Sequence, residues 1–162
     1  MAQSYVCTLF HCVFSTKERR KTISEDLQER LWPYMGGIAR ENKMRALAIG
    51  GVEDHVHLLL SIPSTLSISK AMQLIKGGSS TWVHETLPEY SHFEWQEGYG
   101  AFSIGVSHVD DTKQYIANQR EHHRTKTFQD EFIAFLERHG IEYDPRYVWG
   151  CVSGAPTGRT IL

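Results

Sequence analysis

Two histidines one residue apart, His55 and His57, are the first residues of this sequence whose types and spacing could do chemistry. Three consecutive leucines follow them, and this apolar run indicates a buried strand. Because side chains alternate across a strand, both imidazoles would project from one face, roughly 6.5 Å apart. That separation lets two imidazoles bind one divalent ion. A histidine pair on a solvated sheet face is the alternative, and the motif alone does not decide between them.

A tyrosine and an amide side chain form a second candidate pair. Tyr115 and Gln119 are four residues apart in a helix predicted to begin at Asp110 or Asp111 and to reach about residue 123. That spacing places both side chains on one helical face. A tyrosine packed on the sheet beside a solvent-facing amide is the alternative. The helix offers few apolar residues, so we expect it to be weakly docked and able to move.

Further polar side chains flank these two pairs. His122 and His123, at the end of the tyrosine helix, are candidates for proton transfer, although histidines at a helix end are more often structural or solvent-facing. Glu53 and Asp54 precede the histidine strand. For these two acidic residues a role in a turn is favoured over metal binding.

Positive charge is local in this chain. Its 17 lysines and arginines are outnumbered by 19 aspartates and glutamates, a net charge of −2, so no global field attracts nucleic acid. The candidate phosphate contacts are Lys17, Arg19, Arg20, Lys21, Lys76, Arg120, Arg124 and Lys126. Lys76 is a stronger candidate than the run after the first strand, because its ammonium group and the backbone amides at Gly77 could bind phosphate together.

The predicted secondary structure positions these residues in an α+β fold. Strands are expected at 4–16, 44–52, 54–62 and within 93–107, and helices at 24–41, 67–83, 110–123 and 127–139. Pro33 is expected to kink or split the first helix, and the glycine pair 77–78 to interrupt the second. The order strand, helix, strand, strand, helix, strand predicts a ferredoxin-like (RRM-like) antiparallel sheet with helices on one face, followed by a C-terminal helix that carries Tyr115.

Length and composition limit the class of protein. At 162 residues, of which 41% are hydrophobic, the chain is long enough for one domain with a core of ordinary size. We expect this domain to cover residues 1–149 and residues 150–162 to form a loose tail. Three cysteines without CxxC spacing argue against a disulfide framework or a zinc knuckle and favour the reducing cytoplasm. The sequence has neither an apolar run that could span a membrane nor a secretion signal.

Four stretches of the chain form a more specific pattern when they are taken together. They are His55-Val56-His57 within residues 50–60, Leu74-Ile75-Lys76-Gly77-Gly78-Ser79-Ser80, Trp95-Gln96-Glu97-Gly98-Tyr99-Gly100-Ala101-Phe102-Ser103, and Tyr115-Ile116-Ala117-Asn118-Gln119 with His122-His123. In this order and spacing the sequence closely resembles the single-tyrosine HUH transposases. That family includes insertion-sequence transposases and REP-associated tyrosine transposases, and the resemblance runs from about residue 4 to residue 149.

This resemblance implies a DNA transposase that cleaves and rejoins single-stranded DNA, usually beside a short imperfect hairpin. Tyr115 would be the nucleophile and would leave a 5′-phosphotyrosine and a free 3′-hydroxyl, while His55, His57 and Gln119 would hold Mg²⁺ or Mn²⁺. A tyrosine hydroxyl with its ordinary pKa of about 10 is a poor nucleophile, so a cation that lowers the phenol pKa fits this reaction. The resemblance also implies a homodimer, in which the tyrosine helix of one subunit can complete the histidine pair of the other.

Other functions compete with this interpretation. A non-catalytic ferredoxin-like module could bind single-stranded DNA or RNA by stacking bases on aromatic side chains. A domesticated relative could nick DNA without mobilising its own gene. A His-x-His metallohydrolase is disfavoured because the strand continues with leucines instead of further ligands. Replication initiators and relaxases are disfavoured because the motif around Lys76 and the residue Gln119 match the transposases.

Overall fold

A four-stranded antiparallel sheet forms the centre of the protein in the computed structural model, which describes residues 2–149. The strands, in the spatial order β2-β3-β1-β4, are β1 (Leu9–Ser15), β2 (Arg45–Gly51), β3 (His55–Ser61) and β4 (Gly100–Ser103). Two helices connect them, α1 (Glu25–Glu41) between β1 and β2 and α2 (Ile68–Thr86) between β3 and β4. This arrangement confirms the expected ferredoxin-like fold. The tail expected over 150–162 lies outside the described residues.

The first two helices pack on one face of the sheet and enclose the main hydrophobic core. Each helix begins at the predicted serine, because Ser24 and Ser67 accept hydrogen bonds from the backbone amides of Leu27 and Lys70. Apolar residues of both helices contact the alternate strand residues that face them. These strand residues are Cys12, Phe14, Val56, Leu58 and Leu60.

Three further helices cover the opposite face of the sheet. They are α3 (Val109–Ala117), α4 (Gln119–His122) and α5 (Phe128–Arg138). As its sequence predicts, α5 begins with a capping box between Thr127 and Asp130. Its buried residues join Val13 and Phe102 of the sheet in a second hydrophobic cluster, and they are Phe128, Phe132, Phe135 and Leu136. Both faces of the sheet are therefore covered by helices.

The α3 helix docks on strand β2 more closely than its few apolar residues suggest. A Cβ atom at Gly50 would lie 2.8 Å from the backbone oxygen of Ile116, so glycine is required for this approach. Ile116 is buried under the helix, and this packing argues against the weak docking expected from the sequence. Because α3 begins at Val109, the predicted caps Asp110 and Asp111 lie in its first turn, where their charges favour the helix dipole.

The breaks expected in the first two helices do not occur. α1 continues through Pro33, and α2 continues through Gly77 and Gly78. An interior proline costs roughly 3 kcal/mol, but the buried face of α1 extends on both sides of it over residues 27–39 and outweighs that cost. Gly78 lets α2 approach α1, since a Cβ atom there would lie 3.0 Å from Cδ1 of Ile38. None of the helices within residues 2–149 has the length and apolar character needed to cross a bilayer.

Two strands are shorter than predicted. β1 begins at Leu9, not at residue 4, and of the stretch 93–107 only Gly100–Ser103 forms a strand. Trp95 contributes one isolated bridge to Thr16. Glycines interrupt this stretch, and glycine weakens strand pairing because it has no side chain to pack.

Candidate active site

The two histidines of β3 lie in the middle of the sheet, on the face covered by α3, α4 and α5. His57 is paired with Val13 and His55 with Ser15 in the antiparallel register of β1 and β3. Both histidine side chains are fully buried, with ring centroids 5.1 Å apart. The alternative of a solvated histidine pair is therefore excluded.

Three histidine rings of the site are anchored through their Nδ1 atoms. The anchors are Asp54 Oδ1 at 2.6 Å for His55, His11 Nε2 at 2.8 Å for His57, and the backbone oxygen of Lys126 at 2.8 Å for His123. The Nε2 atoms of all three rings lie within 3.5 Å of a carboxylate oxygen of Glu131. A partner at Nδ1 fixes the ring and leaves Nε2 to bind a metal. Asp54, for which the sequence favoured a turn role, thus also orients a histidine.

Glu131 on α5 is a residue of this site that sequence reasoning missed. Its Oε1 lies 2.8 Å from His57 Nε2, and its Oε2 accepts a hydrogen bond from the Tyr115 hydroxyl. Oε2 also lies 3.0 Å from His122 Nε2 and 3.2 Å from His123 Nε2. The side chain is buried on the apolar face of α5. A charged residue on a buried helix face needs partners, and this was the signal that the sequence offered.

Tyr115 and Gln119 reach the cluster from two helices instead of one. α3 and α4 meet at Asn118, whose ψ of 21° departs from helical values, so the helix predicted over 110–123 is broken there. The Gln119 side chain is 1% exposed, and its Oε1 lies 3.1 Å from His55 Nε2. The structure therefore brings Tyr115, the predicted nucleophile, together with the three predicted metal ligands in one cluster within a single chain.

Hydrogen bonding and burial set the charges of the acidic and phenolic groups. Burial alone would raise the pKa of the Glu131 carboxyl, but hydrogen bonds from His123, His55 and His57 hold its pKa far below the usual range. Burial, and then the hydrogen bond to Glu131, raise the pKa of the Tyr115 hydroxyl well above its ordinary value. Glu131 is therefore an anion that accepts a hydrogen bond from a protonated phenol.

The two histidines of β3 have opposite pKa shifts. Burial lowers the pKa of His55, but its hydrogen bonds to Asp54 and Glu131 outweigh burial and raise that pKa to about 9. Burial lowers the pKa of His57 to about 4, although Glu131 opposes this shift. At neutral pH, His55 is an imidazolium beside two carboxylates and His57 is a neutral ring.

We expect the free energy of unfolding, measured in EDTA, to be highest near pH 6.5. The pKa of His55 is about 9 in the folded chain and about 6.5 when unfolded, so its stabilising contribution is complete below pH 6.5. That contribution, roughly 3 kcal/mol, is lost as the pH rises to 9. The pKa of His57 is about 4 when folded, so the unfolded chain binds more protons and stability falls as the pH drops from 6.5 towards 4.

Urea unfolding at about pH 5, 6.5 and 8.5 measures this dependence. The variant His55→Gln should lose the decline on the alkaline side. The variant His92→Gln, at an exposed histidine, should keep it. A wild-type protein that becomes more stable between pH 6.5 and 8.5 would contradict the imidazolium assigned to His55.

Removing the charge of Glu131 is expected to destabilise the fold. The variant Glu131→Gln leaves the His55 imidazolium with Asp54 as its remaining carboxylate partner and removes the anion that the other histidines contact, at an expected cost of about 3 kcal/mol. The control is Glu137→Gln, at an exposed glutamate of the same helix, which should change stability by less than about 0.5 kcal/mol. Urea unfolding in EDTA compares the two variants. Equal stabilities would show that Glu131 does not balance the charge of the histidines.

Two cavities open beside the buried cluster. One, of about 360 Å³, is lined by Tyr115, Glu131 and Lys126, and the other, of about 480 Å³, by His123 and Lys126. The second cavity gathers four of the basic residues identified in the sequence, which are Lys21, Arg120, Arg124 and Lys126. Two of these residues also form exposed ion pairs, Arg120 with Glu25 and Arg124 with Glu121.

The basic residues that follow β1 lie apart from this cavity, with the exception of Lys21. Lys17 is paired with Glu94 at 2.8 Å and Arg20 with Glu18 at 2.5 Å. The guanidinium group of Arg19 lies 5.2 Å from the ring centre of Trp149. Exposed ion pairs such as these contribute little to stability, so they leave the side chains able to contact phosphate.

Lys76 has a structural role within the chain. Its Nζ donates hydrogen bonds to the backbone oxygens of Gln96, Glu97 and Gly98, at 2.6, 3.0 and 2.8 Å. An ammonium group has three N–H donors, so all of them are engaged in joining α2 to the segment before β4. A contact between Lys76 and a DNA phosphate would require these hydrogen bonds to break.

Known transposases are similar to this chain in sequence. The family model described as "Transposase IS200 like" matches residues 4–119. The transposase for insertion sequence element IS200 of Salmonella typhimurium is 28% identical over 117 residues, which are 69% of this chain and 76% of that protein. The ISDra2 transposase TnpA of Deinococcus radiodurans is 22% identical over 125 residues, 74% of this chain and 89% of that protein.

Solved structures show the same fold. A REP-associated tyrosine transposase bound to a REP hairpin has a TM-score of 0.57 at 16% identity, over 100% of this chain and 98% of that chain. A crystal structure from Deinococcus radiodurans R1 has a TM-score of 0.55 at 25% identity, over 74% of this chain and 96% of that chain.

These matches confirm the resemblance to the single-tyrosine HUH transposases. Within that class, the chain belongs to the IS200-like transposase family, whose model covers β1 to Gln119. Helix α5 and Glu131 lie beyond the matched residues. Glu131 is therefore an addition to the site that the family match does not include.

Proposed function

We propose that the protein cleaves and rejoins single-stranded DNA through a covalent bond to Tyr115. The observation that carries this proposal is the hydrogen bond between the Tyr115 hydroxyl and Glu131, whose other oxygen contacts His57. A tyrosine hydroxyl inside a buried cluster of histidines and a carboxylate is placed for nucleophilic chemistry. In the proposed step the Tyr115 hydroxyl loses its proton and its oxygen bonds to the DNA phosphorus. The bond from phosphorus to the 3′-oxygen breaks, and that oxygen takes up a proton and leaves as a 3′-hydroxyl.

The chain's own residues fit a divalent ion. Ring nitrogens of His55, His57 and His123 and a carboxylate oxygen of Glu131 all lie within 4.8 Å of one another, and Gln119 Oε1 lies beside two of the rings. We propose that His55, His57 and Gln119 hold the ion, with Glu131 and His123 as further candidate ligands. Imidazole-rich sites suit Mn²⁺ better than Mg²⁺. A bound ion would neutralise the phosphate oxygens and favour the ionised phenol.

Glu131 orients the phenol for this reaction, and a bound ion would lower the phenol pKa that burial and Glu131 raise. Glu131 Oε2 accepts the hydrogen bond of the Tyr115 hydroxyl, and both residues line the adjoining cavity, from which a phosphate can approach the phenol oxygen. A phosphotyrosine ester keeps the energy of the broken phosphodiester bond, so a later attack by another 3′-hydroxyl rejoins DNA without ATP.

We propose that the DNA strand enters through the larger cavity and passes into the one beside Tyr115. Lys21, Arg120 and Arg124 supply local positive charge in the larger cavity, and Lys126 lines both. Arg19, Arg20 and Lys17 extend this charge along the segment after β1. The substrate proposed is single-stranded DNA with an imperfect hairpin, which the fold shared with the hairpin-bound REP-associated transposase supports.

We also propose that the protein acts as a homodimer in the cytoplasm. The dimer rests on the resemblance to the HUH transposases, and the cytoplasm on the cysteine content. Because Tyr115 contacts Glu131 of its own chain, the chemistry proposed does not require subunits to exchange their tyrosine helices. Sedimentation of the protein with and without hairpin DNA would measure the oligomeric state.

The alternative of a non-catalytic binding module is disfavoured by one observation. Such a module binds bases on an open sheet face that carries aromatic residues, whereas helices cover both faces of this sheet. A domesticated nuclease would use the same site and chemistry, and it differs from a mobile transposase only in the genome around its gene.

The test of the proposed function is a search for a covalent protein–DNA adduct. Purified protein is incubated with labelled single-stranded DNA from each flank of its gene, with Mn²⁺, Mg²⁺ or EDTA, and separated on a denaturing gel. We expect a slowly migrating band that requires metal. Native-gel binding that is equal in metal and EDTA, with no adduct, would support the binding module.

A further inference from the structure

His11 of β1 contacts the site but belongs to none of the motifs that indicated it. Its side chain is buried, and its Nε2 lies 2.8 Å from Nδ1 of His57. Its ring also meets the rings of Tyr115 and Phe135 edge-on, with centroid distances of 5.9 and 5.0 Å. His11 reaches His57 because both side chains project from the same face of two paired strands.

The partner that each histidine has at Nδ1 determines what its Nε2 can do. The partners of His55 and His123 are a carboxylate and a backbone carbonyl, which only accept hydrogen bonds. Both rings therefore carry a hydrogen on Nδ1. His57 differs, because its partner is another imidazole, and either ring can donate in the bond between them.

The contacts of His57 fix its hydrogen in the arrangement observed. Glu131 Oε1 accepts only, so when the His57 ring carries a single hydrogen, its Nε2 donates to Glu131. Nδ1 of His57 is then the acceptor, and Nε2 of His11 donates. If Nε2 of His57 binds a metal ion, it must supply its lone pair, so the His57 hydrogen is then on Nδ1. His11 accepts at Nε2 in that state, with its own single hydrogen on Nδ1. An imidazole can fill both roles, whereas a carboxylate or an ammonium group can fill only one.

We propose that His11 is a positioning residue for the metal site: it holds the His57 ring and exchanges donor and acceptor roles with it, so that His57 Nε2 can bind a divalent ion. This role rests on the proposed function, because it assumes that His57 is a metal ligand. His11 lines the cavity beside Tyr115, but it is not one of the proposed metal ligands. It acts through the hydrogen bond to His57, and its removal leaves that ring free to turn.

The affinity of the purified protein for Mn²⁺, measured by calorimetry and by electron paramagnetic resonance of the free ion, tests this role. The variant His11→Phe keeps an aromatic ring against Phe135 but has no hydrogen-bonding atom. We expect it to bind Mn²⁺ about 10- to 100-fold more weakly, the usual effect of losing the partner of a metal-binding histidine. The variant His11→Gln, whose amide can donate or accept, should recover most of the affinity.

Wild-type Mn²⁺ affinity in His11→Phe would overturn the proposal, as would a loss in His11→Gln equal to that in His11→Phe at unchanged melting temperature. If the wild-type protein binds no Mn²⁺, the metal part of the proposed function fails together with the role of His11. A tyrosine adduct that forms without metal would instead contradict the metal dependence alone.

A second measurement uses the wild-type protein and does not depend on the folding of any variant. Nitrogen-15 NMR of labelled histidines distinguishes a hydrogen on Nδ1 from one on Nε2. Zn²⁺ is used as a diamagnetic probe of the site. We expect the hydrogen of His57 to move from Nε2 to Nδ1 when Zn²⁺ is added, and the hydrogen shared with His11 to change its donor. A His57 ring with its hydrogen on Nδ1 both with and without Zn²⁺ would overturn the exchange of roles.

Discussion

The variant Tyr115→Phe is expected to form no covalent adduct with single-stranded DNA, a loss of roughly 10⁴-fold or more. The substitution removes one oxygen, which is the atom that bonds to phosphorus in the proposed step. Binding of the DNA should remain, because the basic residues around the larger cavity are unchanged. Denaturing electrophoresis measures the adduct, and native electrophoresis measures binding in the same samples.

The matched control for this experiment is Tyr34→Phe. Tyr34 stacks on Trp82 at a centroid distance of 4.5 Å, on helices that pack on the other face of the sheet. Removal of the Tyr34 hydroxyl group should leave the yield of the covalent adduct at the wild-type level. An adduct of normal yield in Tyr115→Phe would show that another residue is the nucleophile.

The variant His57→Ala is expected to lower the rate of DNA cleavage by at least about 100-fold and to weaken Mn²⁺ binding in parallel. The His57 imidazole is one of the proposed ligands, and its removal also deprives Glu131 and His11 of one hydrogen-bond partner each. A chelator should reproduce the effect on the wild-type protein. Cleavage rates are measured over a series of Mn²⁺ concentrations, because a weakened ligand set raises the concentration that is needed.

The control for this second variant is His92→Ala, which removes an exposed histidine outside the cluster. It should retain both the rate and the Mn²⁺ affinity of the wild-type protein. Thermal melting of both variants in EDTA separates a loss of the metal from a loss of the fold. Equal cleavage by His57→Ala and wild type would contradict a metal site on β3.

The architecture could be predicted because its signals are local. Period-two and helical patterns identified the strands and helices, and the serine caps of α1 and α2 lie where the sequence places them. It was harder to predict that α1 and α2 would each continue as one unbroken helix. Pro33 and Gly78 have poor helix propensity, but the packing of α1 on the sheet and on α2 overrides it. Such packing depends on residues that are distant along the chain.

The site was predictable in part for the same reason. His55 with His57, and Tyr115 with Gln119, are close in sequence, so spacing and the family resemblance indicated them. Glu131 lies 74 residues from His57, and their contact exists because α5 packs over the sheet.

His11 was missed because no neighbouring residue in the sequence indicates that it belongs to a polar site. It lies 46 residues before His57 in an apolar strand, and only the pairing of β1 with β3 brings the two rings together.

The break at Asn118 was also missed, because Tyr115 and Gln119 keep helical spacing across it. Contacts of this kind follow from tertiary structure and have no signal in local spacing.

Mass spectrometry of the trapped adduct tests the central claim most directly. Trypsin cleaves after Lys113 and Arg120, so Tyr115 is the only tyrosine in the peptide from Gln114 to Arg120. After nuclease digestion of DNA taken from the gene's flanks, we predict that this peptide carries a 5′-linked nucleotide on Tyr115. DNA that is cleaved while this peptide stays unmodified, or an adduct on any other residue, would contradict the account.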